Sequence, residues 1–207
     1  ELREMLDIFK KHGVFVLSDE IHHDLTFGGA VHTPSAVAGD YDDMLVTLTA
    51  ATKTFNLAGC QNSFVIIPNA DVRARFDAFM EGIHIHGGTP FGYIATEAAY
   101  RGGRPWFEQL KDVLYENYGY VKETLEKALP KIVVSPLEGT YLMWIDFGAY
   151  IDASQMKAFM QKKCGLAFDY GDWFGGARFG SHIRMNLATS KALVEKAVSS
   201  IVCNLKG

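Results

Sequence analysis

The chain has 207 residues, 48% of them hydrophobic and 21% charged, a composition that supports a buried core and one or two domains. A net charge of −4 gives no clustered Lys/Arg surface for nucleic acid. No apolar run approaches the ~20 residues that a membrane-spanning helix needs.

The opening Glu1-Leu-Arg-Glu-Met-Leu6 reads as a helix already under way rather than as an initiator or a secretion signal. Leu2, Met5, Leu6 and Phe9 recur at helical spacing, and His12-Gly13 ends that helix. Residues 14–17 (Val-Phe-Val-Leu) form a continuous apolar run with β-branched members, which predicts a strand buried on both faces. Two further runs of this kind cover 44–48 and 63–67, the second closed by Pro68-Asn69. Helices are predicted over 72–80, 94–100 and 106–129, the last with Trp106, Leu110, Val113 and Leu114 on one face and Gly119 as a bend or hinge.

Past Pro130 the texture changes. Residues 132–135 and 141–146 read as neighbouring strands, 153–163 as a helix, and 166–169 and 183–187 as strands. Ser190 caps a final helix that runs to about Leu205. The fold class is therefore α/β: helix-flanked buried strands, followed by a smaller α+β unit, with the boundary near 115–120. Residues 1–117 form the first domain and 118–207 the second.

Cys60, Cys164 and Cys203 are too far apart for zinc or redox pairing, which predicts reduced thiols in a cytoplasmic protein. His84 and His86 lack acidic or Cys neighbours and read as loop histidines, so no metal site is expected. Asp19 stands directly after a predicted strand, where ligand sites gather in open α/β sheets, although a Ser-Asp pair also serves as a turn or helix cap. Lys53 holds the corresponding place after the next strand, among Thr49, Ala50, Ala51 and Thr52. Such a lysine is placed to form a Schiff base, or is simply a loop lysine.

Taken together, Ser18-Asp-Glu-Ile-His-His-Asp-Leu25 and Thr52-Lys-Thr-Phe-Asn-Leu-Ala-Gly59 resemble the fold-type I pyridoxal-phosphate enzymes. Within them they look most like the cystathionine β-lyase branch of the class I/II aminotransferases, the MalY/PatB-like group. Residues 91–100, 138–146 and Arg184-Met-Asn-Leu-Ala-Thr189 extend the likeness in the same order over nearly the whole chain.

The resemblance implies a set of roles. Lys53 would carry pyridoxal 5'-phosphate covalently, remove the substrate's Cα proton and help protonate the leaving group. Asp19 would pair with the pyridine nitrogen and keep the ring an electron sink. His22 falls where many relatives place a tyrosine near the cofactor's 3-oxygen. Thr52 would offer its hydroxyl to the phosphate, and Arg184 would clamp the substrate carboxylate. Ala50 and Gln61 depart from the pattern, standing where relatives commonly carry a phosphate-binding serine and a basic residue. Glu20, His23 and Asp24 read as solvated or structural.

By the same resemblance, the chain corresponds to the C-terminal part of the large, mostly parallel-sheet domain plus the small C-terminal domain. The phosphate loop, ring-stacking aromatic and partner-reaching tyrosine of the N-terminal half have no counterpart here. The function implied is a carbon–sulfur β-lyase giving a thiol, pyruvate and ammonia from cystathionine or cysteine conjugates. An aminotransferase shares all these residues, and a regulatory protein-binding role on a lyase scaffold is a reading of another class. The full-length protein would be a homodimer acting on an amino-acid substrate. The 207 residues alone would bind the cofactor weakly and turn over little.

Overall fold

A computed structural model describes residues 1–85 and 87–206. It divides into two compact units, one of residues 1–26 and 30–108, the other of residues 27–29 and 109–207.

The first unit opens with helix α1 (Leu2–Lys11). Its Leu6, 1% exposed, packs with Ala38, Tyr41, Met44 and Leu45, and Leu2, Phe9 and Val16 lie against the same cluster. Gly13 ends the helix at φ 64°, a left-handed conformation that glycine takes without a Cβ clash, and Val14 N–H returns to the Phe9 carbonyl. Strands β1 (Val16–Asp19) and β2 (Leu45–Thr49) are parallel neighbours, with Asp19 opposite Leu48. Strand β3 (Phe64–Ile66) pairs antiparallel with the other side of β2.

The two-sided burial predicted for all three strands holds for β2 but not for its neighbours. In β1, Leu17 is 65% exposed, and all three residues of β3 are exposed. Within this sheet, among the described residues, β2 alone has a strand on each side, so β1 and β3 are edges. A continuous apolar run therefore marks membership of a sheet without fixing its place in it.

Helix α2 (Ala70–Gly82) starts on Asn69, whose side chain accepts from the Asp71 and Val72 N–H groups. Helix α3 (Pro90–Gly102) begins before its predicted first residue, because Thr89 caps the Gly92 N–H and Pro90 supplies a preformed φ at the first position. His84 sits at φ 57° in the turn after α2, and His86 lies outside the described residues.

Helix α4 (Arg104–Ala128) runs without interruption through Gly119. In the second unit its buried face is Leu114, Tyr118, Val121 and Leu125, at spacings of one and two turns. The predicted face is corrected accordingly: Trp106 and Val113 are 47% and 45% exposed, and only Leu114 of that set is buried.

The second unit carries a four-stranded antiparallel sheet in the order β4-β5-β7-β6, formed by β4 (Val133–Val134), β5 (Leu142–Asp146), β6 (Asp169–Tyr170) and β7 (His182–Asn186). Between β5 and β6 a short helix α5 (Met156–Ala158) continues into a π-helical turn (Phe159–Lys163). Helix α6 (Asp172–Gly175) follows β6, and α7 (Lys191–Lys206) closes the chain. Alternation along β5 and β7 sends Met143, Ile145, Ile183 and Met185 into the core with Val194, Val198 and Ile201 of α7. Asn117, 1% exposed on α4, donates its amide to the carbonyls of Leu187 (3.0 Å) and Thr189 (3.1 Å), which satisfies both buried hydrogens.

No described helix is long and apolar enough to cross a membrane.

Candidate functional site

In the first unit, Asp19 and Lys53 leave the same end of the sheet. Asp19 is the last residue of β1, and Lys53 lies four residues beyond the end of β2, the parallel strand hydrogen-bonded to it. Parallel neighbours point their carboxyl ends the same way, so both loops emerge together, as ligand-binding loops do in open α/β sheets. Asp19 is exposed, and among the described residues its one hydrogen bond is from Ile21 N–H to Oδ1, at 3.2 Å. Lys53 is half-buried and enters no ion pair or hydrogen bond among the described residues.

The backbone around Lys53 is held in a tight turn. Phe55 N–H donates to the Ala51 carbonyl (3.0 Å) and Leu57 N–H to that of Thr52 (2.9 Å), with Asn56 at φ 55°. Ala50 and Ala51, each 1% exposed, sink the start of the turn into the core. Phe55 packs with Tyr100 (5.8 Å edge-on), Trp106 and Phe107. Gly103 leaves room for that ring, since a Cβ there would stand 2.6 Å from Phe55 Cε1 and 2.5 Å from the Ala99 carbonyl.

Each of these two residues has a buried polar neighbour in sequence. Glu20, 8% exposed, accepts from Ser35 N–H (2.8 Å) and the Ser18 hydroxyl (3.0 Å) and faces His32 Nε2 at 3.0 Å. Burial alone would raise the Glu20 carboxyl, but the Ser35, His32 and Ser18 hydrogen bonds and the charge of His32 together hold it below the ordinary carboxylate value. A depressed folded value means that this carboxylate stabilises the fold above an unfolded value of 4.5, and that the contribution disappears as pH falls through the folded value. Thermal melts of the wild type should therefore fall more steeply between about pH 5 and about pH 3 than those of Glu20→Gln. Parallel melting curves would remove Glu20 from the acid transition.

Thr54, 1% exposed, donates its hydroxyl to Asp24 Oδ2 at 2.7 Å. His22 is half-buried in the turn after β1, where its carbonyl accepts Leu25 N–H (3.0 Å).

Arg184 belongs to the second unit. It lies on β7, paired across the sheet with Trp144 on β5 and Asp169 on β6. Ile183 and Met185 point into the core, so Arg184 projects from the opposite face. Its Nη2 and Nε reach Asp169 Oδ2 at 2.6 and 3.1 Å, and its Cζ lies 4.5 Å from the ring centre of Phe174. That ring meets Trp144 edge-on at 5.8 Å. The guanidinium is thus fixed through one edge and one face. Its Nη1 hydrogens, and the second on Nη2, remain outside the Asp169 pair, the end that can take a carboxylate in two parallel bonds.

The sequence reading did not foresee Asp169, Phe174 or the Glu20 and Asp24 contacts. Asp169 ends a predicted strand, but only the strand order puts that strand beside the one bearing Arg184.

This arrangement, acid and lysine on adjacent parallel strand ends of an α/β sheet, coincides with a family match. Residues 1–201 match the aminotransferase class I and II family, and the chain belongs to it. Among individual proteins it is similar to cystathionine beta-lyase PatB of Bacillus subtilis, 35% identical over 97% of this chain and 52% of that protein. It is also similar to protein MalY of Escherichia coli, 29% identical over 98% and 52%.

Of solved structures, cystalysin of Treponema denticola, which contains pyridoxal 5'-phosphate, superposes with TM-score 0.91 at 35% identity over 100% of this chain and 52% of its own. The pyridoxal-phosphate-bound C–S lyase of Staphylococcus hominis gives TM-score 0.90 at 32% identity over 100% and 53%. The chain thus spans about half the length of the relatives it matches.

Pyridoxal phosphate offers a basic ring nitrogen, an aldehyde and a phosphate, and the donor set can be tested against each. An exposed carboxylate suits a protonated ring nitrogen, and an amine free of ion pairs suits the aldehyde. Asp19 and Lys53 fit those two ends. The phosphate end is less well served, because Ala50 has no hydroxyl and is buried, and Gln61 carries no positive charge. Thr52, half-buried, is the hydroxyl next to Lys53 on its N-terminal side.

Proposed function

We propose that this chain is part of a pyridoxal-phosphate-dependent carbon–sulfur β-lyase, which with water converts cystathionine or cysteine conjugates to a thiol, pyruvate and ammonia. The observation that carries the reading is the pair Asp19 and Lys53 at the carboxyl ends of adjacent parallel strands. Similarity to PatB, and to solved C–S lyases over the whole chain, supports it. Residues 1–117 would belong to the large cofactor-binding domain and 118–207 to the small C-terminal domain. The active protein would be a cytoplasmic homodimer acting on an amino acid.

When bound, the cofactor supplies an aldehyde that captures amines and a ring that accepts negative charge from the substrate's α-carbon. Asp19 would keep the ring nitrogen protonated. Lys53 would hold the cofactor and, released as a free amine, take the proton from Cα and return one to the departing sulfur. His22 would face the 3-oxygen and Thr52 the phosphate. Arg184, steadied by Asp169 and Phe174, would hold the substrate carboxylate in the planar, two-bond geometry that lysine does not provide.

An aminotransferase needs the same groups, and the chain matches the aminotransferase class I and II family. The products separate them. The full-length protein given cystathionine should release pyruvate and thiol together in equal amounts without any added keto acid. Product formation that depends on an added keto-acid acceptor would assign transamination instead.

A further inference from the structure

We infer that Thr54 and Asp24, with His23, are positioning residues that fix the spacing between the loop bearing Asp19 and the turn bearing Lys53. The inference rests on the roles proposed above for those two residues.

Lys53 reaches its target through a long, flexible side chain, so what the fold can fix is the backbone at its root. That backbone is tied at both ends to the segment following β1. On the near side, Glu20 N–H donates to the Leu48 carbonyl (2.8 Å), and His23 Nδ1 lies 3.2 Å from the Thr49 hydroxyl and 2.7 Å from the Glu20 carbonyl. Since a carbonyl only accepts, Nδ1 carries the hydrogen. On the far side, directly after Lys53, the Thr54 hydroxyl donates to Asp24 Oδ2 at 2.7 Å. The other Asp24 oxygen lies 3.3 Å from His23 Nε2, a contact that becomes an ion pair only when the imidazole carries both hydrogens.

The burial pattern sorts the roles. Thr54 is 1% exposed while Lys53 beside it is half-buried and unpaired among the described residues. Glu20 is 8% exposed while Asp19 beside it is exposed. At both positions the anchoring contact is made by the neighbour, while Lys53 stays unpaired among the described residues and Asp19 accepts only the Ile21 N–H of its own turn. Sequence-local bonding cannot account for the Thr54–Asp24 contact, which spans thirty residues of chain and joins two strands' loops. A charge-assisted hydrogen bond of this kind is stronger and more directional than a neutral one.

The test uses the full-length protein incubated with pyridoxal phosphate, reduced with borohydride, digested, and analysed by mass spectrometry for the fraction of each lysine modified. Exposed lysines such as Lys10 serve as internal references. Wild type should be modified selectively at Lys53. Thr54→Val, which keeps shape and removes the donor, and Asp24→Ala should each lower the Lys53-to-reference ratio about tenfold or more, the scale of one lost hydrogen bond to a charged group. Thr54→Ser should restore the ratio to within about twofold. The melting temperature of the cofactor-free protein reports any general loss of structure. If Thr54→Val does not fold, Asp24→Ala, altering a side chain 33% exposed, decides the matter.

Wild type without selectivity for Lys53 would overturn the assignment of Lys53 itself. Selective wild type with an unchanged ratio in the folded variants, or no rescue by serine, would overturn the positioning role and leave Lys53 standing.

Discussion

Lys53→Ala in the full-length protein should lower pyruvate release from cystathionine about a thousandfold, while the cofactor-free protein melts within a degree or two of wild type. The magnitude follows from the loss of a positioned proton carrier, worth about 10² to 10⁴ in rate, to which the loss of the covalent tether adds. The small effect on stability follows from the structure, because Lys53 is half-buried and makes no hydrogen bond or ion pair among the described residues. Lys53→Arg should be as inactive as alanine, since a guanidinium keeps its proton at any working pH and cannot act as a base. Steady-state pyruvate assays and melting curves on the three proteins check this together. Activity within tenfold of wild type in either variant would refute the role.

The largest effect on stability is expected at Phe147. It is 0% exposed, and its place after β5 is set by its own N–H to the Ser181 carbonyl (2.9 Å) and by the N–H groups of Tyr150 and Ile151 that return to its carbonyl. Those backbone bonds prevent the site from collapsing around a smaller side chain. Phe147→Ala should therefore cost about 3–5 kcal/mol, the range for emptying a buried aromatic site. Against a typical domain stability of about 5–15 kcal/mol, that leaves the second unit marginal. Urea unfolding of the 207-residue chain measures it, with Phe91→Ala, at a side chain 80% exposed, as the control expected within about 0.5 kcal/mol of wild type. A loss below about 1 kcal/mol at Phe147 would mean that the site repacks.

How much of this was legible beforehand differs by element. Helix α1, with its glycine stop, and the final helix after Ser190 follow from local pattern, and the structure places both within a residue or two of expectation. The start of α3 was equally local, and Thr89-Pro90 carried the cap and first-turn signals, but the Gly-rich stretch before it concealed them. The buried face of α4 was not local. Trp106 and Val113 obey the helical period as well as Val121 and Leu125 do, and only tertiary packing decides which stripe is covered.

The functional residues divide in the same way. Asp19 and Lys53 could be found because each stands at or within a few residues of the carboxyl end of its own strand. Asp169 and Arg184 meet only through the order of strands, and Asp24 and Thr54 only through parallel pairing of β1 with β2. Pairings between distant segments leave no trace in either segment's own composition.

The amide of Asn117 has a mechanical consequence. A screw slip of α4 by one residue would strand two buried N–H groups and two carbonyls that now satisfy one another. Each orphan would cost about 1–3 kcal/mol, so the slip is closed at ordinary temperature. Any displacement of the later part of α4 must then carry along the peptide just beyond β7, and Arg184 with it, as a single lever.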